Sequence, residues 1–315
     1  MRNRKAITWP PPDRPRIFSV GVYVGTLVTN NTNQPINQLW HYQFDSTWGR
    51  HSTGELTVKP KKSPPRHAVD ISEEAGVRYL HFGSDWVQGA MRIARPWSLE
   101  LAYTREMMAG LLLRESDRWP RSALLVGLGA GSLAKFIYRN LPDCRITVVE
   151  INPQVEFIAR QYFRLPDDPA RLSVVTGDGA EFMLAGERRF DYILVDGFDQ
   201  DARAGTLDTL PFYQACRSRL TDEGLLCVNL LGRNKGFAGS VERIRSAFDG
   251  RVAVFPSCDS GNTIAFATGG EAVDVTLEEM RERATLLKKA SRLDLLPTIS
   301  RLQLSNPLPD GRLRI

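Results

Sequence analysis

One short stretch limits the folds open to this chain, a glycine-rich turn between an apolar run and a helical segment. The apolar run ends at Val126, the turn reads Gly127-Leu128-Gly129-Ala130-Gly131, and a helix is expected over 132–140. A second apolar run ends on Glu150, 19 residues after Gly131, close to the spacing of about 20 in a βαβ nucleotide-binding unit. Glycines let a ligand approach the backbone, the helix N-terminus offers N–H donors, and the acid can bind ribose hydroxyls. The stretch therefore predicts a nucleotide site.

The spacing of the glycines indicates which nucleotide is bound. Gly127, Gly129 and Gly131 alternate along the turn, whereas dinucleotide binders carry Gly-x-Gly-x-x-Gly. This departure favours an adenosyl-sulfonium ligand, S-adenosylmethionine or its decarboxylated form, over NAD. We therefore predict that the three glycines and Glu150 bind this co-substrate.

The rest of the chain alternates between strand-like and helix-like segments. The runs 192–195 and 225–230 are almost wholly apolar, which is typical of parallel strands covered on both faces. The sequence predicts an α/β fold, Rossmann-like, with a mostly parallel, doubly wound, seven-stranded sheet of the S-adenosylmethionine-transferase type and a small N-terminal β-hairpin region. The strands are expected at 122–126, 145–150, 172–177, 190–195, 224–230, 252–255 and 262–267, and the helices at 132–140, 153–163, 179–185, 210–219 and 237–247.

Shifts in composition divide the chain into four regions. Residues 1–68 are basic and rich in Pro and Asn, and we expect them to be poorly ordered or peripheral. Residues 69–97 hold the hairpin, with strands at 77–82 and 86–93, and residues 98–270 form the Rossmann-like catalytic domain. Residues 271–315 form a C-terminal helix and tail. Two further helices are expected, over 96–113 before the first central strand and over 277–295 near the end of the chain.

Charge and cysteine content exclude several classes of protein. The net charge is +5, but ten of the 41 basic residues and only four of the 36 acidic residues lie in the first 70 positions. The remainder is close to neutral, which argues against a nucleic-acid-binding core. The four cysteines form no CxxC pair, and all four histidines precede the glycine-rich turn, so no metal site or disulfide framework is expected. We predict a cytoplasmic protein with no membrane association.

Carboxylates also follow the next strands of the predicted sheet. Asp178 lies between Gly177 and Gly179, and Asp196 and Asp199 bracket a Gly-Phe turn. Ligands of an open parallel sheet bind at the carboxyl ends of its strands, so these acids are candidate site residues. Asp178 alone is equally well explained as a helix N-cap.

Here the sequence resembles the spermidine synthases, the polyamine aminopropyltransferases and their bacterial relatives, over about residues 70 to 270. The segment 175–183 is similar to the family's Gly-Asp-Gly-x-Glu-Phe motif, and 193–199 is similar to its Asp-Ser-Ser-Asp segment. Weaker matches lie at 86–88, where the family has Val-Ile-Gln, at 100–103, where it has Glu-Phe-Ala-Tyr, and at 260–262, where it has Ser-Gly-Gln.

The resemblance implies roles for individual residues. Asp196 would be the catalytic base, with Asp199 beside it, and Tyr103 would lie near the active site. Asp178, with Gly179, would contact the adenine, and Gln88 would lie near the nucleotide. Asn262 would lie beside the amine pocket.

Two positions depart from the family pattern. The family's glycine-rich turn carries an Asp that helps to bind the positively charged end of decarboxylated S-adenosylmethionine, and this chain has Ala130 there. The family's Asp-Pro after the base is Asp199-Gln200 in this chain.

Three functions are compatible with these residues. The first is transfer of an aminopropyl group from decarboxylated S-adenosylmethionine to a small amine such as putrescine. The second, motivated by Ala130, is methyl transfer from S-adenosylmethionine to an amine, a protein or a small molecule. The third is an inactive nucleotide-binding or scaffold homologue. The resemblance also implies a homo-oligomer, a dimer, while the charge, cysteine and histidine patterns predict neither a metal nor a nucleic-acid partner.

Overall fold

The computed structural model describes residues 16–18 and 69–315, apart from 84–85, 116–117, 200–202, 233–235, 259–260 and 306–307. Of the first 68 residues, only strand β1 is described. The expectation that the rest of this region is poorly ordered lies outside the described residues. Within the described residues, no helix is long and apolar enough to cross a membrane.

An antiparallel sheet precedes the main domain. The predicted hairpin is present, and two strands precede it that the sequence did not predict. The first pairs with the second, and the strand order follows the chain. The strands are β1 (Arg16–Phe18), β2 (Val69–Glu74), β3 (Val77–Phe82) and β4 (Val87–Arg92).

The main domain is a seven-stranded sheet in the order β10-β11-β9-β8-β5-β6-β7. The five strands from β9 to β7 run parallel, and β10 and β11 are antiparallel. The predicted fold class is confirmed. The strands are β5 (Ser122–Val126), β6 (Arg145–Glu150), β7 (Leu172–Thr176), β8 (Phe190–Val195), β9 (Leu220–Leu231), β10 (Val252–Val254) and β11 (Asn262–Ala267).

Helices cover both faces of this sheet, which explains its apolar strands. Alternate residues of β5 enter different cores: Leu125 packs in one cluster with Val148 of β6, and Leu124 packs in the other with Ile193 of β8. The five central helices agree closely with prediction: α2 (Ser132–Asn140), α3 (Pro153–Phe163), α4 (Gly179–Ala185), α5 (Leu210–Ser218) and α6 (Phe237–Ala247).

The predicted start of the helix expected over 96–113 is wrong. The helix α1 spans only Ala102–Met107 and continues as a 3-10 helix, Met108–Leu112. The preceding turns are held by side chains, because Arg92 of β4 forms an ion pair with Glu100 and Arg105 Nη1 donates to the Glu100 carbonyl over 3.3 Å. These contacts compete with a helical start at Pro96.

The helix expected over 277–295 ends four residues early, and a second helix that the sequence did not predict follows it. The first, α7 (Leu277–Ser291), ends where Arg292 adopts a left-handed φ of 64°. The second, α8 (Leu296–Ser305), begins after Asp294, whose Oδ1 accepts from the Leu296 N–H over 3.1 Å. A short strand pair flanks these helices, β12 (Asp274–Thr276) with β13 (Arg312–Arg314).

Candidate active site

Asp196 is the first residue after β8, at the carboxyl edge of the sheet, and its side chain is half-buried. Asn229 of β9 donates its Nδ2–H to Asp196 Oδ1 over 2.8 Å. The Tyr103 hydroxyl of α1 donates to the same carboxylate. Two predicted catalytic residues that lie 93 positions apart in the chain are therefore in direct contact.

The two side chains titrate in a way that keeps this contact intact. Burial raises the pKa of Asp196, and the hydrogen bonds from Asn229 and Tyr103 offset part of that rise. Burial and the Asp196 charge raise the pKa of Tyr103 well above its ordinary value. The phenol therefore stays protonated and remains a donor, while the carboxylate is a stronger proton acceptor than an exposed aspartate.

Two asparagines complete this network, and neither was among the predicted catalytic residues. Asn262 of β11 donates its Nδ2–H to Asn229 Oδ1 over 2.9 Å, and both side chains are buried. Because the oxygen of the Asn229 amide accepts that bond, its NH₂ group must face Asp196. The sequence signal was present: Asn229 interrupts the apolar strand β9, where a polar side chain needs a hydrogen-bonding partner, and the family resemblance had already placed Asn262 beside the amine pocket.

The glycine-rich turn lies directly beside Asp196. Gly127, Gly129 and Gly131 all adopt positive φ, and Gly131 is the N-cap residue of α2. A Cβ atom on Gly127 would lie 2.3 Å from the Asp196 carbonyl oxygen. Glycine is therefore needed here for two reasons, the backbone conformation and the close approach to the strand end that carries the candidate base.

Strand β4 packs against the same turn. A Cβ on Gly89 would lie 2.6 Å from Ala130 Cβ, and a Cβ on Gly129 would lie 3.0 Å from the Gln88 carbonyl oxygen. The Ser132 hydroxyl donates to the Ala90 carbonyl over 3.1 Å. The structure thus brings the backbone of Gln88 to the turn and buries Ala130 between the turn and β4.

Glu150 ends β6 and lies beneath the turn with only 7% of its surface exposed. Its Oε2 accepts from the Leu128 N–H and its Oε1 accepts from the Asn152 N–H, each over 2.9 Å. Burial raises the pKa of Glu150, and these backbone donors oppose the rise. Each carboxylate oxygen can accept a second bond, so Glu150 can brace the turn and still bind ribose hydroxyls.

Asp178 is the N-cap residue of α4, the alternative that the sequence left open. Its Oδ1 accepts from the N–H groups of Ala180, over 2.7 Å, and Glu181, over 3.1 Å. Both bonds use one oxygen, so Oδ2 keeps acceptor capacity for a ligand. Gly179 is required for packing, because a Cβ there would lie 2.4 Å from Val126 Cγ1.

Asp199 is exposed, in contrast to Asp196. Its Oδ1 accepts from the Arg203 N–H over 2.9 Å, and its own N–H donates to the Arg203 carbonyl over 3.0 Å. These bonds close the loop after β8 and place the second acid at its rim. Gln200 lies outside the described residues. Among those that are described, no group of three or more His, Cys, Asp or Glu side chains is arranged to hold a metal ion.

Comparison with known proteins identifies the same region of the chain. A family model described as the spermine/spermidine synthase domain matches residues 100–231. The polyamine aminopropyltransferase of Neisseria meningitidis serogroup A is 38% identical over 239 residues, which cover 76% of this chain and 90% of that protein.

Two solved structures share the fold. A spermidine synthase in complex with the transition state analogue AdoDATO aligns with a TM-score of 0.59 and 21% identity, over 78% of this chain and 84% of that one. Human methyltransferase-like protein 13, in complex with SAH, aligns with a TM-score of 0.55 and 26% identity, over 61% of this chain and 93% of that one.

Proposed function

The chain belongs to the spermine/spermidine synthase family, and on that premise we propose that it transfers an aminopropyl group from decarboxylated S-adenosylmethionine to a small amine such as putrescine. The observation that carries the proposal is the half-buried Asp196 carboxylate, held by Tyr103 and Asn229 beside the glycine-rich turn. It is a proton acceptor next to the predicted nucleotide site.

The adenosyl group would bind along the carboxyl edge of the sheet. Glu150 would accept from the ribose hydroxyls, and Asp178 would meet the adenine through its Oδ2. Gln88 and the turn 127–131 would enclose the part of the nucleotide nearest the sulfonium. The support for this arrangement is that all these groups lie at one edge, where open parallel sheets bind their ligands.

The reaction requires one proton to be removed. The acceptor amine is protonated at neutral pH, since its pKa is near that of lysine, about 10. Asp196 would take that proton, and the freed lone pair would attack the carbon next to the sulfonium. The new C–N bond forms as the C–S bond breaks, and the bonding electrons leave with a neutral thioether. The sulfonium is a good leaving group, so the protein contributes positioning and the base, with Asp199 orienting the ammonium.

The decisive variant is Asp196→Asn, which keeps the shape and removes the base. We expect turnover to fall by about 10²–10⁴ while nucleotide affinity, measured by calorimetry, is retained. Asp167→Asn, a substitution at an acid exposed on the surface outside the site, is the matched control and should leave turnover unchanged. Turnover of Asp196→Asn close to that of the wild type would contradict the assignment.

Methyl transfer is the second candidate, and Ala130 is the observation that favours it. Its buried methyl group provides no counter-charge for the ammonium of decarboxylated S-adenosylmethionine and no repulsion against the carboxylate of S-adenosylmethionine. The similarity to human methyltransferase-like protein 13 supports the same candidate.

Calorimetry with both nucleotides separates the two functions. We expect tighter binding of the decarboxylated form, because the Neisseria meningitidis protein, which is similar to this chain over most of its length, is named a polyamine aminopropyltransferase. Preference for the carboxylated form would instead favour methyl transfer, and binding of neither would favour the scaffold role.

We also propose that the protein works in the cytoplasm as a homodimer. Sedimentation of the full chain would test whether it is a dimer.

A further inference from the structure

A polar cleft of about 340 Å³ lies at the edge of the main sheet opposite to the candidate active site. Arg145 is the first residue of β6, Arg171 directly precedes β7, and Arg188 lies two residues before β8. The cleft is therefore at the amino ends of the strands, whereas Glu150 is at the carboxyl end of β6. The proposed transfer reaction uses none of its lining residues.

The strand register places the polar side chains of the cleft in two adjacent pairs. Thr147 pairs with Ser173, and the pairing of Ile146 with Leu172 puts Arg145 beside Arg171 one residue earlier. Residues two apart on a strand share a face, so Arg145 and Thr147 lie on one face of β6. Two like charges on neighbouring strands repel each other.

The cations of the cleft are only partly satisfied. Arg188 Nη1 donates to Thr147 Oγ1 over 3.4 Å, and its guanidinium lies 4.9 Å from the centre of the Phe190 ring. Arg171 donates to the carbonyls at the end of α2, stacks on Tyr138 at 4.4 Å and leaves its buried Nε without a partner. Among the described residues no carboxylate lines the cleft.

The floor of the cleft is also polar. Thr147 has only 5% of its surface exposed, on a sheet face whose other buried positions, such as Val149 and Ile193, are apolar. Its hydroxyl and that of Ser173 can donate to an oxyanion. Hydroxyl and guanidinium groups together provide donors for the hydrogen bonds that a tetrahedral oxyanion accepts.

We propose that this cleft binds a small phosphate-bearing anion. Guanidinium groups bind phosphate oxygens through paired, charge-assisted hydrogen bonds, and stacking on Phe190 limits the freedom of Arg188 before the ligand arrives. An anion between Arg145 and Arg188 neutralises charges that no side chain of the cleft compensates. The volume suits a diphosphate, either inorganic pyrophosphate or the diphosphate of a nucleotide.

Calorimetry of the full chain with pyrophosphate, and separately with ADP, tests the proposal. We expect saturable binding of pyrophosphate that Arg188→Gln weakens at least about tenfold, the loss of one charge-assisted contact. The matched control is Arg189→Gln, which removes the neighbouring exposed charge, 4.0 Å from Asp222 and outside the cleft. If ADP binds more tightly than pyrophosphate, and Arg188→Gln weakens that binding, the ligand is a nucleotide. If ADP and pyrophosphate bind equally tightly, the ligand is the inorganic ion.

A second pair of variants tests the floor. Thr147→Val removes the hydroxyl at nearly constant volume, and Ser173→Ala does so at an exposed position if Thr147→Val fails to fold. Each substitution should weaken pyrophosphate binding, and Ser173→Ala should leave the melting temperature unchanged. No binding by the wild type would overturn the proposal. An equal loss of binding in Arg188→Gln and Arg189→Gln would also overturn it, because the general surface charge would then explain the binding. The readout is binding alone, so the result is independent of the transfer reaction.

Discussion

Asp196 is held by donors from two separate elements, and each donor stabilises its charged form. Tyr103 comes from α1 and Asn229 from β9, and Asn262 fixes the amide of Asn229. The sequence singled out Asp196 by its position after a strand and Tyr103 through a family resemblance. The contact between Asn229 and Asn262 became visible only when β9 and β11 were seen side by side, because which strands neighbour each other is a property of the sheet.

This network predicts a shift in the pH profile. Asp196 must be charged to accept a proton, so kcat/KM should rise with pH through its pKa, which burial raises and the two donors lower. Asn229→Ala or Tyr103→Phe removes a lowering contact, and the acid limb should therefore move to higher pH. A pH series of kcat/KM measures the shift.

Asn140→Ala is the matched control for this prediction, since the Asn140 amide bonds to a carbonyl within α2, away from the site. Its profile should overlay that of the wild type. An Asn229→Ala enzyme that is slower at every pH with an unmoved acid limb would show that Asn229 only supports the fold around Asp196.

At the scale of elements, the nucleotide turn is built from two parts of the chain. The strand β5 and the helix α2 form the turn, and β4 of the N-terminal sheet closes it from the other side through Gln88 and Gly89. The boundaries of β5 and α2 were predicted correctly because their residues agree in periodicity and turn chemistry. The contact with β4 was implied only by the family resemblance, since no local pattern links residue 89 to residue 130.

Gly89→Ala should disturb this contact. The new methyl group would lie 2.6 Å from Ala130 Cβ and 2.8 Å from the Ala130 nitrogen, so the backbone of the turn or of β4 must move. We expect weaker nucleotide binding by calorimetry and a lower melting temperature. Gly236→Ala, at a position with no atom within 4 Å of the new Cβ, should change neither. Unaltered binding by Gly89→Ala would show that the ligand does not depend on the closed turn.

At the scale of the whole molecule, two apolar cores lie on either side of the sheet, and Lys135 is the most deeply buried of the cations that the structure describes. Lys135 of α2 is 1% exposed and donates its Nζ–H to the Phe163 carbonyl at the end of α3 over 2.7 Å. Burial, with a smaller contribution from the charge of Arg164, lowers its pKa to about 7. A charged lysine is thus disfavoured in the folded protein.

Lys135 makes the free energy of unfolding depend on pH. Between its folded pKa of about 7 and its ordinary value of 10.5, the unfolded chain binds more protons, so stability rises with pH by at most about 1.4 kcal/mol per unit. Below pH 7 the lysine is charged in both states and this slope vanishes. Lys135→Met should remove the slope, so the stability of the wild type relative to Lys135→Met should increase from pH 7 to 10. Urea unfolding of both proteins measures this difference, and parallel curves would contradict the lowered pKa.

By itself the sequence determined the class of fold, the edge of the sheet that carries the site, and most of the acids there. Glycine spacing, apolar runs and strand-end carboxylates are local patterns, and each has a direct structural consequence. The tertiary structure alone decided the roles that depend on neighbours. It joined Asn262 to Asp196 through Asn229, buried Ala130 under Gly89, and placed Arg145 beside Arg171. Burial and hydrogen bonding between distant residues arise only when the chain packs, and a linear pattern does not contain them.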